Sequence, residues 1–208
     1  SDQTTEGAET LKIKLYSDWA RTNQVGNTAS VTINDTSITA IEKSSETNSN
    51  DILIGDNVDN MISALYADNA IDSGADNDTL YGNQWADKII AWTGNNTLYG
   101  GQGADRLYGN MGIDEIYGGK DDDWLHGGHG NDKLWGNHGA DKFCLSKGQD
   151  QVMDFKASEG DWISMQAGTS YSLVQKGSDL LVDAALGDLL LVNISINNFN
   201  AGSSIVVG

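Results

Sequence analysis

The sequence is poor in cysteine, in basic residues and in long apolar runs, and each absence excludes a class of protein. It contains a single cysteine, Cys144, so no intramolecular disulfide framework stabilises the chain. Its longest apolar stretches, such as 189–192, are far shorter than the ~20 residues of a membrane-spanning helix. The N-terminus also lacks the charged and then apolar pattern of a signal peptide. We therefore expect no transmembrane segment, and stabilisation by packing or by a metal ion.

Basic residues are heavily outnumbered, with 12 Lys and Arg against 30 Asp and Glu and a net charge of −18. This charge repels phosphate backbones and anionic lipid, and it attracts cations. Nucleic acid and bare membrane are therefore not expected as partners. An acidic composition is also compatible with disorder, but 38% apolar residues, six Trp and seven Tyr favour a folded chain.

A nine-residue period runs without insertion from Glu46 to Cys144 and gives eleven units. The eighth position of every unit is apolar: Leu53, Ile62, Ile71, Leu80, Ile89, Leu98, Leu107, Ile116, Leu125, Leu134 and Phe143. The sixth position is always Asp or Asn: Asp51, Asn60, Asn69, Asp78, Asp87, Asn96, Asp105, Asp114, Asp123, Asp132 and Asp141. One inward apolar side chain per unit is typical of a short, half-buried strand.

Glycine is concentrated at the first, second and fourth positions, most regularly in 100–105 (GGQGAD) and 127–132 (GGHGND). Glycine permits the positive φ that a sharp reversal requires, so these positions predict turns between the strands. Trp85 and Asp121 occupy the fourth position, and we expect Trp85 to distort its turn. No single unit can bury its apolar residue alone, so the units must stack as a solenoid.

With these positions, the frame resembles the repeats-in-toxin (RTX) nonapeptide, Gly-Gly-x-Gly-x-Asp-x-apolar-x, of secreted haemolysin-type proteins. The resemblance covers about half of the chain. It implies an all-β fold, a right-handed parallel β-roll (β-solenoid), in which two units complete one coil. It also implies calcium binding between successive turns, type I export and an extracellular location.

Since one coil takes two units, turns eighteen residues apart lie on the same edge of the roll, ~4.8 Å from one another. The sixth-position residues then form two columns, and the resemblance implies that calcium is bound along them through side chains and turn carbonyls. We expect about four or more ions, concentrated between Asp87 and Asp141, with little or no metal in units 46–72. The predicted metal-site residues are Asp78, Asp87, Asp105, Asp114, Asp123, Asp132, Asp141, Gly100, Gly101, Gly103, Gly109, Gly112, Gly118, Gly119, Gly127, Gly128, Gly130, Gly136 and Gly139.

The segments on either side of the repeat predict caps. Residues 1–45 are interpreted as an N-terminal β cap or linker, with strands at 10–16, 30–34 and 37–41, the last two forming a hairpin. Residues 46–144 form the roll, and 145–208 form a C-terminal antiparallel β cap with strands at 170–174, 179–182, 188–192 and 203–207. Asp154 and Phe155 resemble the closing segment of RTX rolls, and the resemblance implies a type I secretion signal in this last region. The chain begins at Ser1 without Met, so we expect it to be part of a longer protein.

The outward ninth position carries an aromatic stripe on one sheet, composed of Tyr81, Tyr99, Tyr117 and Trp135. Such a stripe either stacks on sugar rings or stabilises the sheet through neighbouring aromatic pairs. The histidines His126, His129 and His138 are interpreted as solvated rather than as a zinc site, because the last two fall on opposite edges of the roll. No His-Glu-x-x-His helix or Gly-x-Ser-x-Gly turn is present, and Cys144 has no base near it in the frame.

The sequence therefore leaves three functional hypotheses in order. The first is a non-catalytic, calcium-binding secreted module that folds on meeting extracellular calcium and supports secretion or an extracellular matrix role. The second is a calcium-dependent polysaccharide-binding module that uses the aromatic stripe. The third is a fragment of an enzyme, for which the sequence offers no nucleophile and base pair.

Overall fold

The nine-residue units each contribute one strand to a parallel β-solenoid. The structure is a computed structural model and describes residues 30–32 and 49–208. The strands are β1 Ser30–Thr32, β2 Ile52–Ile54, β3 Met61–Ser63, β4 Ala70–Asp72, β5 Thr79–Gln84, β6 Lys88–Ile90, β7 Thr97–Gln102, β8 Arg106–Met111, β9 Glu115–Lys120, β10 Trp124–Gly130, β11 Lys133–His138, β12 Lys142–Cys144, β13 Lys147–Val152, β14 Trp162–Met165, β15 Tyr171–Lys176, β16 Asp179–Ala184, β17 Gly187–Leu191 and β18 Ile205–Val207. A 3-10 turn at Ile196–Asn198 and a four-residue helix, α1 Ala201–Ser204, lie near the C-terminus.

Alternate strands of the roll pair with each other in parallel and form two faces. The even-numbered strands from β2 to β12 build the first sheet, and the odd-numbered strands from β3 to β11 build the second. Partners in the roll are eighteen residues apart, as in Leu53 with Ile71 and Leu80 with Leu98. This offset confirms the predicted solenoid with two units per coil.

The core is a ladder of the eighth-position side chains from both sheets. All eleven predicted residues are buried, and none is more than 3% exposed. Each such burial stabilises the fold by roughly 1.5–3 kcal/mol relative to an exposed side chain. The seventh and ninth positions are more exposed than the eighth, except in β12, where the ninth-position residue Cys144 is also buried.

Left-handed backbone at the second and fourth positions forms the turns. Gly101 and Gly103 both have φ of +117°, which L side chains rarely adopt. Trp85 and Asp121 hold the same left-handed conformation at the fourth position, with φ of +77° and +75°. The expected distortion at Trp85 is therefore not found, because its side chain projects outward and is 63% exposed.

At the N-terminal end, β1 pairs in parallel with β2, matching Val31 with Leu53. It covers the edge of the first sheet, as a cap should. The predicted strands at 10–16 and 37–41 lie outside the described residues, and so does the turn of the predicted hairpin.

The C-terminal cap is partly antiparallel, as predicted. Strands β15, β16 and β17 form an antiparallel meander, and β17 joins the second sheet beside β13. The last strand differs from the prediction, because residues 201–204 form helix α1 and β18 adds to the first sheet in parallel with β14. Neither helical segment of the described chain is long and apolar enough to cross a membrane.

Candidate metal centre

The sixth-position side chains form two hydrogen-bonded ladders, one on each edge of the roll. In the first column, the backbone N–H of Asp87 donates to Oδ1 of Asp105 at 2.7 Å, and that of Asp105 donates to Oδ1 of Asp123 at 2.8 Å. In the second column, Asp114 N–H donates to Oδ1 of Asp132 at 2.9 Å. One carboxylate oxygen of each residue thus links its coil to the preceding coil by a hydrogen bond. The predicted division into two columns agrees with these bonds.

The second carboxylate oxygen has no such role. In the described part of the chain, the Oδ2 atoms of six residues are buried without a hydrogen-bond partner: Asp78, Asp87, Asp105, Asp114, Asp123 and Asp132. The hydroxyl nearest to Asp78, on Ser73, donates its hydrogen to the Ala91 carbonyl at 3.1 Å instead. A buried anion without a partner is costly, so each such oxygen calls for a ligand that the protein itself does not provide.

The missing side chain of the first-position glycine leaves space beside that oxygen. A Cβ placed on Gly82 would lie 2.6 Å from Oδ2 of Asp87 and 2.6 Å from the carbonyl oxygen of Gly100 on the next coil. The same pair of oxygens, the sixth-position Oδ2 of the same unit and the first-position carbonyl one coil later, converges at Gly100, Gly109 and Gly118. We call each of these spaces an oxygen cradle.

The donor set of the cradles suits a hard cation. Carboxylate and carbonyl oxygens are the ligands of Ca²⁺, which takes six to eight of them, whereas softer metals prefer nitrogen or sulfur. Among residues 30–32 and 49–208, no three acidic, His or Cys side chains are placed to hold a metal by themselves. A bound ion would therefore draw on backbone carbonyls as well as on the carboxylates of its own column.

Burial disfavours the ionised form of the column carboxylates and so raises their pKa values. It raises the pKa of Asp114 to about 6 and of Asp87, Asp105 and Asp141 to about 7. The pKa of Asp123 is raised to about 9, mainly by burial; the Asp105 N–H lowers it, and the carboxylates of Asp105, Asp141 and Asp121 contribute to the rise. A cation in the cradle would reverse this balance by stabilising the ionised form.

All three asparagines of the columns present an amide in place of Oδ2; Asn69 and Asn96 keep the ladder, whereas Oδ1 of Asn60 accepts from Asp56 N–H in its own turn. Oδ1 of Asn69 accepts from Asp51 N–H, and Oδ1 of Asn96 accepts from Asp78 N–H, at 2.9 and 2.8 Å. The amide nitrogens donate to the fourth-position carbonyls of their own turns, namely Val58, Ala67 and Gly94. These units are internally satisfied.

The fifth-position side chains form additional hydrogen bonds between coils, which were not predicted from the sequence. Their oxygens accept from the coil that follows: Asn77 from Asn95 N–H at 2.8 Å, and Asp122 from Ala140 N–H at 2.8 Å. The bonds therefore run in the opposite direction to those of the sixth position, and the side chains are exposed. Asp or Asn at 59, 68, 77, 95, 122 and 131 was a visible signal, although weaker than that of the sixth position.

The columns continue beyond Cys144, which the sequence reasoning did not anticipate. Asp150 and Val152 occupy the sixth and eighth positions of a further unit, and Asp132 N–H donates to Asp150 Oδ1 at 3.1 Å. Asp161 extends the other column at a spacing of twenty residues, accepting from Asp141 N–H at 3.0 Å. Continuing the frame by one unit would have found Asp150, whereas the change of spacing hides Asp161.

The protein itself supplies partners to these terminal carboxylates. The Ser146 hydroxyl donates to Oδ2 of Asp150 at 2.6 Å, and Lys156 N–H donates to Oδ2 of Asp161 at 2.7 Å. The carboxylate of Asp154 accepts two backbone hydrogen bonds: Oδ1 from Gly136 N–H at 3.0 Å and Oδ2 from Asn137 N–H at 2.9 Å. Next to Asp154, the ring of the buried Phe155 packs on that of Phe143, with 6.0 Å between the ring centroids, and closes the core. The oxygens without protein partners therefore lie in the middle of the roll.

The aromatic stripe is a continuous stack of rings. Tyr81 and Tyr99 lie 5.0 Å apart with planes inclined by 6°, and Tyr99 and Tyr117 lie 4.9 Å apart at 11°. Trp135 extends the stack 4.4 Å from Tyr117 at 12°. Both faces of the Tyr99 and Tyr117 rings are therefore covered by neighbouring rings. This arrangement favours a packing role over the stacking of a sugar ring.

The three histidines do not form a common site, but His126 lies beside Cys144 in register on the first sheet, so the prediction that no base is near this cysteine is wrong. His126 is also partly buried and not solvated as predicted. His129 lies beside Met111 on one edge of the roll, whereas His138 lies beside Lys120 on the other. Burial raises the pKa of the Cys144 thiol to about 11, so it is protonated at neutral pH and a weak nucleophile.

Comparison with known structures finds similarity to chains of a lipase and of an epimerase. The extracellular lipase LipA from Serratia marcescens is 15% identical over 76% of this chain, with a TM-score of 0.40, and the chain spans 38% of the lipase's length. The AlgE6R3 subunit of the mannuronan C5-epimerase from Azotobacter vinelandii is 23% identical, with 69% of this chain and 82% of that one covered and a TM-score of 0.33. No curated protein sequence matches the chain.

Comparison with protein families identifies the repeat itself. Residues 47–80, 54–89, 81–116, 108–143 and 117–152 each match the RTX calcium-binding nonapeptide repeat. Together these matches span 47–152, about half of the chain, and they include the cradles and the additional unit with Asp150. The chain belongs to the RTX calcium-binding nonapeptide repeat family.

Proposed function

We propose that this chain is a non-catalytic secreted module that folds when it binds calcium outside the cell. A single observation carries the proposal: six buried Oδ2 atoms have no hydrogen-bond partner in the described part of the chain, and glycine leaves oxygen-lined space beside five of them. Metal binding and folding are then one event, because a site assembled from successive coils does not exist in the unfolded chain.

The ions would be held along both edges, about four or more in total, each between carboxylates and carbonyls of successive coils. On the first edge the carboxylates are Asp87, Asp105, Asp123 and Asp141. On the second edge they are Asp78, Asp114 and Asp132. The glycines of the first, second and fourth positions bring the carbonyls close enough to share an ion, and the C-terminal region from 145 closes the roll.

An extracellular role follows from the same chemistry. Calcium is plentiful outside the cell and scarce within it, so a chain of charge −18 remains extended until export and folds afterwards. Such a module supports secretion or serves as part of an extracellular structure. A place within a longer protein and a type I secretion signal in 145–208 belong to the same proposal.

Calcium counting tests the proposal. Isothermal titration calorimetry of the full chain should give about four or more ions per molecule at saturation, with the strand signal in circular dichroism rising in parallel. Magnesium serves as the control cation, because Mg²⁺ requires a nearly octahedral set of ligands and gives up its water reluctantly. We expect it to bind more weakly than calcium between the turns. A stoichiometry of zero, or binding without any change in the dichroism, would refute the proposal.

The aromatic stripe gives less support to the alternative, a polysaccharide-binding module. Replacing Tyr99→Ala removes two ring stacks of ~0.5–1.5 kcal/mol each, and we expect the calcium-loaded roll to lose about 1–3 kcal/mol of unfolding free energy. Urea denaturation in saturating calcium measures this loss. Thr97→Ala on the same strand is the matched control and should cost less, since Thr97 belongs to no ring stack.

Alginate binding separates the two functions in the same pair of variants. We expect the wild-type chain and the Tyr99→Ala variant to give the same result when titrated with alginate. If the wild-type chain bound alginate and the variant lost that binding while remaining folded, the stripe would be a carbohydrate site and the alternative would be preferred.

A further inference from the structure

Two units of the roll differ from the metal-site units at two positions together. In units 64–72 and 91–99, the sixth residue is Asn69 or Asn96 and the first residue is Ala64 or Ala91. In the six Asp-containing units from Gly82 to Cys144, the first residue is always glycine, whereas Asp78 shares its unit with Ser73 and Asn60 shares its unit with Gly55. Both alanines are buried, with exposures of 1% and 0%. The paired changes therefore fall on the two residues that line an oxygen cradle.

In the units that begin with glycine, a first-position methyl group would compete with the carboxylate Oδ2 for one space. The Cβ position on Gly82, 2.6 Å from Asp87 Oδ2 and from the Gly100 carbonyl, is closer than real Cβ atoms come to other heavy atoms. An alanine there would have to displace the carboxylate oxygen or the backbone of the next coil. In the units of Ala91 and Ala64 the sixth residue carries an amide nitrogen in place of Oδ2, and that nitrogen donates to the turn carbonyl of Gly94 or Ala67.

The asparagine amide supplies the donor that such a unit needs. Asn96 Nδ2 donates to the Gly94 carbonyl at 3.1 Å, and Asn69 Nδ2 donates to the Ala67 carbonyl at 2.7 Å. Oδ1 of each asparagine still accepts the N–H of the preceding coil, so the ladder is unbroken. The sixth position is uncharged, and the turn carbonyl has a hydrogen-bond donor where a metal-site unit would present oxygens to an ion.

We propose that the pairs Ala64 with Asn69 and Ala91 with Asn96 specify metal-free units, in which a methyl group fills the cradle and an amide N–H takes the place of the cation. This inference rests on the proposed calcium binding. A metal-free unit at 91–99 would divide the second column, because Asn96 separates Asp78 from Asp114 and Asp132. The first column has no such interruption between Asp87 and Asp141.

Restoring both positions should create a calcium site. The double variant Ala91→Gly/Asn96→Asp of the full chain should bind at least one more Ca²⁺ per molecule than the wild type, as counted by calorimetry and by elemental analysis of the folded protein. Asn95→Asp is the matched control: it adds the same charge one residue away, at an exposed fifth position whose Oδ1 accepts from Ile113 N–H. It should leave the ion count unchanged.

The outcomes distinguish this inference from the function on which it rests. A wild-type chain that binds no calcium overturns both. A wild-type chain that binds calcium, with a folded double variant of unchanged count or a control that gains an ion equally, overturns the inference alone. If the double variant does not fold, the reciprocal Gly109→Ala/Asp114→Asn variant decides: it should stay folded in calcium with at least one ion fewer, and an unchanged count overturns the inference.

Discussion

In excess chelator at neutral pH, the chain should lose most of the strand signal that it shows in calcium. Two carboxylates ~5 Å apart at an effective dielectric constant of ~20 repel by roughly 3 kcal/mol. Several such pairs lie along the columns, and their sum rivals the ~5–15 kcal/mol by which a typical domain is stable. Their second oxygens also remain buried without partners. Far-UV circular dichroism with and without calcium measures the effect, and matching spectra would contradict the expectation.

Acidification in the presence of chelator should recover part of the structure. Burial raises the pKa values of Asp87, Asp105 and Asp141 in the fold to about 7, above the ordinary carboxyl value of 3.8, so the folded state binds more protons than the unfolded one. The free energy of unfolding therefore falls as the pH rises from about 4 to about 7. Dichroism in chelator at pH 5 should show more strand than at pH 7.5, whereas a column of fully solvated carboxylates would give no such difference.

Replacing Asp123→Ala should raise the calcium concentration at the folding midpoint by about tenfold or more, which corresponds to about 1.4 kcal/mol. Asp123 is 2% exposed, and its Oδ1 holds the N–H of Asp105. Its Oδ2 is one of the six without a protein partner. The substitution removes a proposed ligand and also leaves a buried backbone donor unpaired, which costs about 1–3 kcal/mol by itself.

Asp122→Ala is the control for this variant. It removes the same charge from the adjacent residue, whose Oδ1 accepts from Ala140 N–H at an exposed position. Water can replace an exposed acceptor, so a small shift in the midpoint is expected. Calcium titrations of both variants, followed by dichroism, make the comparison. Equal shifts would mean that net charge, and not the buried column, governs folding.

The solenoid and the two columns could be predicted from the sequence because the fold repeats along one dimension. Leu80 and Leu98 occupy equivalent positions because they are two units apart, and no distant segment decides their environment. The nine-residue frame therefore located the core, the turns and the sixth-position residues. The frame ended too early at Cys144, since Leu145 stands where glycine was expected, although Asp150 and Val152 continue it.

The terminal segments could not be predicted with the same success, because they pair outside the period. The last strand, β18, was expected to be antiparallel but adds in parallel to β14, more than thirty residues earlier. Asp161 joins the first column only because the twenty-residue spacing accommodates the turn at 156–160. Contacts of this kind depend on how the chain returns to the roll, and no local pattern encodes that return.

By itself, the sequence determined the repeat, the buried ladder of apolar residues, the position of the carboxylates and their attraction for cations. These follow from residue type and spacing, which a solenoid converts directly into position. Only the tertiary structure decided what each carboxylate oxygen does. One oxygen of Asp105 or Asp123 accepts a backbone N–H from the preceding coil, while the other is left without a partner beside a glycine. That division requires two coils in contact at a fixed separation, because the N–H donor and the opposing carbonyl both belong to neighbouring turns.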